Sequence, residues 1–266
     1  MPKLKNKVIW ITGASSGIGE ALAYELSKNG AKLILSARRE KELQRVKSNC
    51  STDSHSQIKI LPLDLLEVED LVNKAAVAIG LFGKIDILIN NGGISQRSLA
   101  KDTILKVDRK LMEVNYFAPV QLSKSLIPGM IENGSGHIVN VTSLVGKFGT
   151  PYRSGYAASK HAVHGFFDSL RAELHDQNIK ITNVCPGFIR TNISINALTE
   201  NATALGEMDK AQDEGMPAEI FAKKMIRAIE QHKQEVYIGG KETYGVLLKR
   251  FFPSLFDSII RKSSVR

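Results

Sequence analysis

The chain has 266 residues, of which 43% are hydrophobic and 24% charged, so it has a globular composition and the length to bury one large core. Its two cysteines, Cys50 and Cys185, are too few for a disulfide framework, and no Cys/His cluster has the spacing of a structural zinc site, so no metal is expected. The formal net charge of +9 suits nucleic acid, an anionic membrane surface or a phosphorylated ligand, and does not by itself select a partner.

Short apolar segments alternate with longer amphipathic ones along the chain. The short segments predict strands at residues 8–12, 32–36, 58–63, 85–90, 137–141, 179–185 and 235–238. This alternation indicates a parallel sheet with crossover helices on both faces. The predicted fold class is α/β: a Rossmann-type doubly wound parallel sheet, of about seven strands, in a single domain. That domain is expected to span residues 1–243, and residues 244–266 form a basic tail.

A glycine-rich segment follows the first predicted strand, and a helical stretch begins after it at Glu20. Glycine permits a tight turn and close approach to a pyrophosphate, and the helix N-terminus offers unpaired N–H donors and the positive end of a dipole. The segment is predicted to bind a dinucleotide, although a purely structural turn remains the alternative because such motifs also arise by chance. The predicted contacts are Gly13, Ser15, Ser16, Gly17, Ile18 and Gly19.

The end of the second predicted strand bears on which dinucleotide is bound. NAD-binding proteins place Asp or Glu there to accept hydrogen bonds from the ribose 2′-hydroxyl, but this chain has Arg38 and Arg39. Guanidinium groups suit a 2′-phosphate, with which they form charge-assisted and often bidentate hydrogen bonds. The pair therefore predicts NADP(H), the alternative being two solvated arginines before the next helix.

Four polar residues farther along suggest proton transfer. Tyr156 and Lys160 are four residues apart in a predicted helix, so they share one face, while Ser143 follows the fifth strand and Asn115 lies in the preceding helix. A phenol has a pKa near 10, and a neighbouring ammonium would lower that pKa toward neutrality. Taken alone, the Tyr/Lys pair is as easily a half-buried tyrosine beside a solvated lysine.

The Gly-x-x-x-Gly-x-Gly spacing and these four residues, in this order, resemble the short-chain dehydrogenase/reductase family. The resemblance extends through Thr191, and segments 36–39 and 91–98 look most like the dehydrogenase/reductase member 7 group and hydroxysteroid dehydrogenase-like reductases. It implies hydride transfer between NADP(H) and a carbonyl or secondary alcohol, and a homodimer or homotetramer. The alternative is a non-catalytic regulatory protein that senses NADP(H), and nucleic acid is not expected as a partner.

The family resemblance also implies a role for each site residue. Tyr156 would exchange the proton, Ser143 would hydrogen-bond the substrate oxygen, Lys160 would bind the ribose and tune Tyr156, and Asn115 would hold a proton-relaying water. The family usually has alanine where this chain has Gly92. The further cofactor contacts implied are Asp64, Leu65, Asn91, Gly92, Gly93, Tyr156, Lys160, Pro186, Gly187, Ile189 and Thr191.

The substrate pocket is predicted to be mostly apolar, which favours a steroid, retinoid or lipid-derived carbonyl over a sugar or an acid. Residues 191–217 are predicted to form a lid over it. The apolar residues concerned could instead belong to the core; they are Leu144, Val145, Phe148, Tyr152, Phe188, Ile189 and Ile193. His161 and His164 follow the catalytic positions and are predicted to be surface or interface residues, neither ligands nor bases.

The tail has apolar residues about every four positions, and Pro253 is expected to divide it into two helices. Its cationic residues are Lys249, Arg250, Arg261, Lys262 and Arg266. Such a segment can lie on an anionic membrane or pack against the lid or a second subunit, and packing on protein is favoured. Because residues 1–7 lack the apolar core of a signal peptide and no apolar run is long enough to span a membrane, the predicted location is cytoplasmic, with membrane association through the tail as an alternative.

Overall fold

A computed structural model describes residues 3–262 of the chain. The strands are β1 Val8–Thr12, β2 Lys32–Ser36, β3 Ile58–Ile60, β4 Ile87–Asn90, β5 Gly136–Val141, β6 Ile179–Pro186, β7 Ile189–Arg190, β8 Met216–Pro217 and β9 Glu235–Ile238. The helices are α1 Gly17–Lys28, α2 Glu40–Ser48, α3 Leu71–Phe82, α4 Leu105–Met112, α5 Ala118–Glu132, α6 Ser154–Glu173, α7 Lys210–Asp213, α8 Ala218–Glu230, α9 Tyr244–Phe251 and α10 Pro253–Ile260. A π-helical turn, Glu113–Phe117, joins α4 to α5.

Seven parallel strands form the main sheet in the order β3-β2-β1-β4-β5-β6-β9 within the described residues. The predicted doubly wound α/β fold is thereby confirmed. The chain moves outward from β1 to β3 and then returns to place β4 on the other side of β1. This reversal opens a crevice at the carboxyl ends of β1 and β4, which is where open α/β sheets bind their ligands.

The third strand is shorter than residues 58–63, because β3 ends at Ile60. The main-chain N–H groups of Leu61 and Leu63 still donate to the carbonyl oxygens of Leu35, in β2, and of Ala37, directly after β2. Pro62, between them, lies where an N–H would point away from β2 toward the open edge of the sheet, so its missing donor costs no hydrogen bond with β2. The segment continues along the edge of the sheet in extended form and leads to the crevice.

Helices cover both faces of the sheet and create two apolar cores. On one face α1, α2 and α8 pack on the strands through residues such as Leu22, Leu43 and Phe221. On the other face α3, α5 and α6 pack through residues such as Leu126 and Phe167. Because both faces are covered, the strands are apolar on both sides and their side chains are almost wholly buried.

The tail divides at Pro253 into α9 and α10, as predicted. Phe256 of α10 is buried, and its ring centre lies 5.0 Å from that of Phe148, beside the crevice. Leu248 and Ile260 are half-buried against the same cluster, and the exposed apolar residues of the tail are Tyr244, Leu247, Phe251, Phe252, Leu255 and Ile259. Arg266, which was counted in the tail's charge, lies outside the described residues. Within residues 3–262, no helix combines the length and apolar character needed to cross a membrane.

Candidate active site

The phosphate loop, residues 13–19, connects β1 to α1. Gly13 has a φ of +65°, and a Cβ there would lie 2.7 Å from Cα of Gly92, so only glycine fits. A Cβ on Gly19 would collide with the carbonyl oxygen of Gly13. The Ser16 side chain does not cap α1, which leaves the first N–H groups of the helix available to an anion. The loop fits the diphosphate of a dinucleotide.

Asn91 fastens this loop to the end of β4. Its Nδ2 donates to the carbonyl oxygens of Thr12, at 2.9 Å, and Gly13, at 3.2 Å. A Cβ on Gly92 would lie 2.5 Å from Cδ1 of Leu65, so the Leu65 side chain fills the space that an alanine methyl would take. Glycine at position 92 therefore makes room for the Leu65 side chain, which closes the floor of the crevice.

Arg38 and Arg39 lie at the carboxyl end of β2, exposed, and both line the crevice. Neither side chain forms a hydrogen bond or salt bridge within residues 3–262. Arg39 occupies the N-cap position of α2, where a cation opposes the helix dipole, so the position does not favour arginine for local stability. Both guanidinium groups are free to bind a phosphate.

Tyr156 and Lys160 lie one turn apart near the start of α6, and both are buried. Lys160 Nζ lies 5.9 Å from the centre of the Tyr156 ring and donates to the carbonyl oxygen of Val141 at 2.9 Å. Burial raises the pKa of Tyr156, and a hydrogen bond with Ser143 works in the opposite direction. Ser143 therefore faces the phenol.

The positive charges that lower the pKa of Tyr156 are the guanidinium groups of Arg153 and Arg97. Lys160 is not among them, and burial brings the pKa of its own ammonium down to about 8. The sequence motif indicated Lys160 as the group that tunes the tyrosine. The structure adds two arginines that the motif does not contain.

Asn115 lies in the π-helical turn, 1% exposed. Its Oδ1 accepts from the N–H of Ile94 at 2.9 Å, and its Nδ2 donates to the Ile94 carbonyl oxygen at 2.9 Å. A Cβ on Gly93 would lie 3.1 Å from Oδ1 of Asn115 and 3.6 Å from Nζ of Lys160. Asn115 thus holds the chain at 93–94 against the lysine, and the extra helical residue of a π-turn re-aims its side chain inward.

Gln96 is a functional residue that sequence reasoning missed. It is fully buried, and its Oε1 accepts from the main-chain N–H of Gly155 at 2.8 Å and of Tyr156 at 3.2 Å. These N–H groups lie in the first turn of α6, where no intrahelical acceptor exists. Gln96 therefore acts as a capping residue for the catalytic helix from a distant part of the chain.

We expect Gln96→Ala to lower the free energy of unfolding by about 2 to 6 kcal/mol, because it leaves two buried N–H donors unpaired at about 1 to 3 kcal/mol each. Urea denaturation measures the change. The control is Gln121→Ala, since the Gln121 side chain bonds, among the described residues, only to Ser125 of the same helix at 3.3 Å; this variant should lose under about 1 kcal/mol. Equal losses in the two variants would contradict the capping role.

The histidine prediction was wrong for His164, which is 5% exposed. Its Nε2 lies 3.7 Å from Sγ of Cys185, and its Nδ1 lies 3.2 Å from a carboxylate oxygen of Glu235. The pattern failed because β6 and β9 cover this face of α6, which helical periodicity does not show. The three residues each offer one possible ligand atom, and these atoms lie within 4.8 Å of one another.

A cavity of about 1260 Å³ joins the phosphate loop to the catalytic residues. Its wall includes every predicted cofactor residue except Gly19 and, among the catalytic residues, Ser143, Tyr156 and Lys160. Asn115 lies behind the wall. Of the predicted apolar lining, Tyr152 is the exception and does not face the cavity; the residues that do are Leu144, Val145, Phe148, Phe188, Ile189 and Ile193.

Comparisons with known proteins agree with this geometry. Residues 7–202 match the family model of the short chain dehydrogenases. The chain is 40% identical over 268 residues to a dehydrogenase/reductase SDR family protein 7-like of Drosophila melanogaster, covering 99% of this chain and 82% of the relative. It is 44% identical over 240 residues to dehydrogenase/reductase SDR family member 7 of Homo sapiens, covering 89% of this chain and 71% of the relative.

Solved structures show the same likeness. A short-chain dehydrogenase from Streptomyces avermitilis superposes with a TM-score of 0.80 at 27% identity, over 98% of this chain and all of that one. The chain therefore belongs to the short-chain dehydrogenase/reductase family and is similar to its dehydrogenase/reductase member 7 group.

Proposed function

We propose that the protein transfers a hydride between NADP(H) and a carbonyl or secondary alcohol of a hydrophobic molecule. The observation that carries the proposal is the single cavity whose wall contains the phosphate loop, Arg38 and Arg39 at one end and Ser143, Tyr156 and Lys160 at the other. A dinucleotide seated on the loop would extend toward Tyr156. The two arginines favour the phosphorylated cofactor because they follow β2 where NAD-binding proteins place Asp or Glu.

The cofactor supplies the hydride, and the protein's residues supply binding, orientation and the proton. Tyr156 gives its proton to the substrate oxygen in reduction and removes it in oxidation, while Ser143 hydrogen-bonds that oxygen as charge develops on it. Lys160 is mostly protonated at pH 7, since its pKa is about 8, and can bind the ribose hydroxyls. Asn115 fixes residues 93–94 beside it, where a water would relay protons, and Thr191 with residues 186–189 would orient the carboxamide.

The substrate end of the cavity is walled mostly by apolar side chains, which supports a steroid, retinoid or lipid-derived carbonyl. Residues 191–204 contribute several positions to this wall, including Ile193, Ile195 and Leu198. We assign residues 191–217 as the lid. Gln212 of α7 holds the lid's ends together, since its Nε2 donates to the carbonyl oxygen of Ile189 and to Oγ1 of Thr191.

The function is tested with a panel of ketones, aldehydes and secondary alcohols, followed by NADPH absorbance and with Tyr156→Phe as the blank. Turnover of apolar carbonyls by the wild type alone supports the proposal. NADPH binding without turnover across the panel would instead identify an NADP(H)-sensing regulatory protein. We place the protein in the cytosol, since Cys50 and Cys185 are both free, and expect a homodimer or homotetramer.

The exposed part of the tail is a candidate membrane-binding surface. Leu247, Phe251 and Phe252, on α9 and at its end, are exposed and also line the cavity, and Arg250 and Lys262 are exposed near them in the chain. Apolar and basic residues together favour an anionic surface. The same stripe also packs on the core through Phe256, so α10 is fastened to the domain whether or not lipid is present.

We expect the full chain to co-sediment with vesicles of phosphatidylserine and phosphatidylcholine. The double variant Leu247→Ser/Phe251→Ser should reduce the bound fraction several-fold, because the free energy of binding loses about 25 cal/mol for each Å² of apolar area that is no longer buried in the membrane. Vesicles of phosphatidylcholine alone should bind less, since they lack the anionic charge. Leu105→Ser, an exposed leucine on α4, is the control. Absence of sedimentation in the wild type would leave these residues as a contact for protein.

A further inference from the structure

The cavity wall near Tyr156 contains a buried cluster of charges, Arg97, Asp209 and Arg153. All three are at least nine-tenths buried, and both arginines line the cavity. Arg97 holds Asp209 tightly: its Nε donates to Oδ2 at 2.8 Å and its terminal nitrogen also bonds the same oxygen. Arg97 further donates to Oγ of Ser95 at 2.8 Å and to the carbonyl oxygen of Gln96 at 2.7 Å. Arg97 is thus well paired.

Arg153 is not paired in this way. Its terminal nitrogen lies 3.6 Å from the Asp209 oxygen that Arg97 already occupies, too far for a hydrogen bond. Its Nε is buried and, within residues 3–262, has no hydrogen-bond partner; the same is true of Oγ1 of Thr150, which also lines the cavity. The contact that remains is a cation–π approach, with the guanidinium carbon 6.0 Å from the centre of the Phe188 ring.

Burying an underpaired guanidinium destabilises the folded state, and three features of its surroundings add to that destabilisation. Burial, with Arg97 as a second cation nearby, lowers the pKa of Arg153 to about 10. Arg153 is the N-cap residue of the 20-residue helix α6, so the positive end of that dipole also faces it. Tyr152, before it, has a φ of +63°, an unfavourable conformation for a tyrosine.

The chain holds Arg153 in place in spite of this cost. The N–H of Ser98 donates to the carbonyl oxygen of Tyr152 at 3.1 Å, and Ser98 and Arg153 form an isolated parallel bridge. Strained and underpaired residues that the surrounding structure fixes firmly are typical of ligand sites. An anion would relieve both the charge and the missing hydrogen bonds.

We propose that Arg153 binds a carboxylate of the substrate, so that the hydrophobic substrate is an oxo or hydroxy acid. The inference rests on the proposed function, and it replaces the neutral carbonyl expected from the sequence with an amphipathic acid. Guanidinium and carboxylate match in geometry, with two parallel hydrogen bonds. The apolar wall at Phe148 and Phe188 then receives the hydrocarbon part.

The test compares acids with their own methyl esters, which keep the shape and lose the charge. The probes are 2-oxooctanoate, 4-oxooctanoate and 7-oxooctanoate, each with its ester, in the presence of NADPH. We expect the wild type to prefer at least one acid, and expect Arg153→Met to reduce kcat/KM for that acid on the order of 10- to 100-fold, mainly through KM, as for a lost charge-assisted hydrogen bond. The ester should change less than about 3-fold.

Arg153 also lies near enough to Tyr156 to lower the pKa of the phenol, and the esters separate that role from substrate binding. If Arg153 only lowers the pKa of Tyr156, Arg153→Met reduces kcat for acid and ester equally and shifts the pH–rate profiles of both substrates to higher pH. That result overturns the proposal. Arg153→Lys should restore part of the preference for the acid because it restores the charge. Arg109→Met, at an exposed position on α4, is the matched control, and melting curves verify folding.

Calorimetry makes the result independent of turnover. Octanoate should bind the wild type more tightly than Arg153→Met, and octan-1-ol should bind both equally. If no ketone is reduced but octanoate still shows this difference, the proposed reaction fails and the carboxylate site stands. Equal octanoate affinity in the two proteins, or a wild-type preference for every ester, overturns the site.

Discussion

Tyr156→Phe is expected to lower kcat by about 10² to 10⁴-fold, which is the contribution that a positioned general acid typically makes. The substitution removes one oxygen from a ring that is 7% exposed, so the packing of α6 is retained. Ser143 still reaches the substrate oxygen and Lys160 still reaches the ribose. Reduction then lacks its proton donor while the cofactor remains bound.

The measurement is single-turnover NADPH oxidation with the best carbonyl of the panel, together with the NADPH dissociation constant from fluorescence titration. The dissociation constant should stay within about 3-fold, because the phosphate loop and Arg38 are untouched. Tyr237→Phe is the matched control, since Tyr237 is partly exposed on β9 and bonds only to Glu235 among the described residues. Near-normal turnover in Tyr156→Phe would show that another group donates the proton.

The sheet could be predicted from sequence because its strands are buried on both faces. Runs such as residues 8–12 and 32–36 are almost entirely apolar, and β1 and β2 have these bounds. The Tyr156/Lys160 pair was also predictable, because a four-residue spacing places both side chains on one face of α6. Local patterns of this kind need no knowledge of distant neighbours.

Contacts between distant residues could not be predicted in the same way. Arg97 and Asp209 are 112 residues apart, and Gln96 reaches the start of α6 across about sixty residues. His164 shows the same limit, since its burial depends on strands that follow it in the chain. Local sequence patterns therefore identify the candidate catalytic residues, while the groups that orient and charge the site are brought together only by the folded chain.

The cofactor prediction leads to the second large effect. We expect Arg38→Asp to lower the NADPH/NADH ratio of kcat/KM by about 10- to 100-fold, because one charge-assisted hydrogen bond to phosphate is worth about 1.5 to 3 kcal/mol. The new carboxylate would repel a 2′-phosphate and accept hydrogen bonds from a 2′-hydroxyl, the arrangement of NAD-binding proteins. Both changes act in the same direction on the ratio.

A readout without catalysis separates cofactor choice from chemistry. Calorimetry with 2′,5′-ADP and with AMP should show that Arg38→Asp weakens binding of the first far more than of the second. Lys41→Asp is the matched control: it makes the same charge change three residues later on α2, at an exposed position outside the cavity wall. Its ratio should move less than about 3-fold, since exposed charges at that distance are screened by salt. If Arg38→Asp and Lys41→Asp shift the ratio equally, the arginine acts only through the general field of the domain, and the assignment of NADP(H) loses its structural basis.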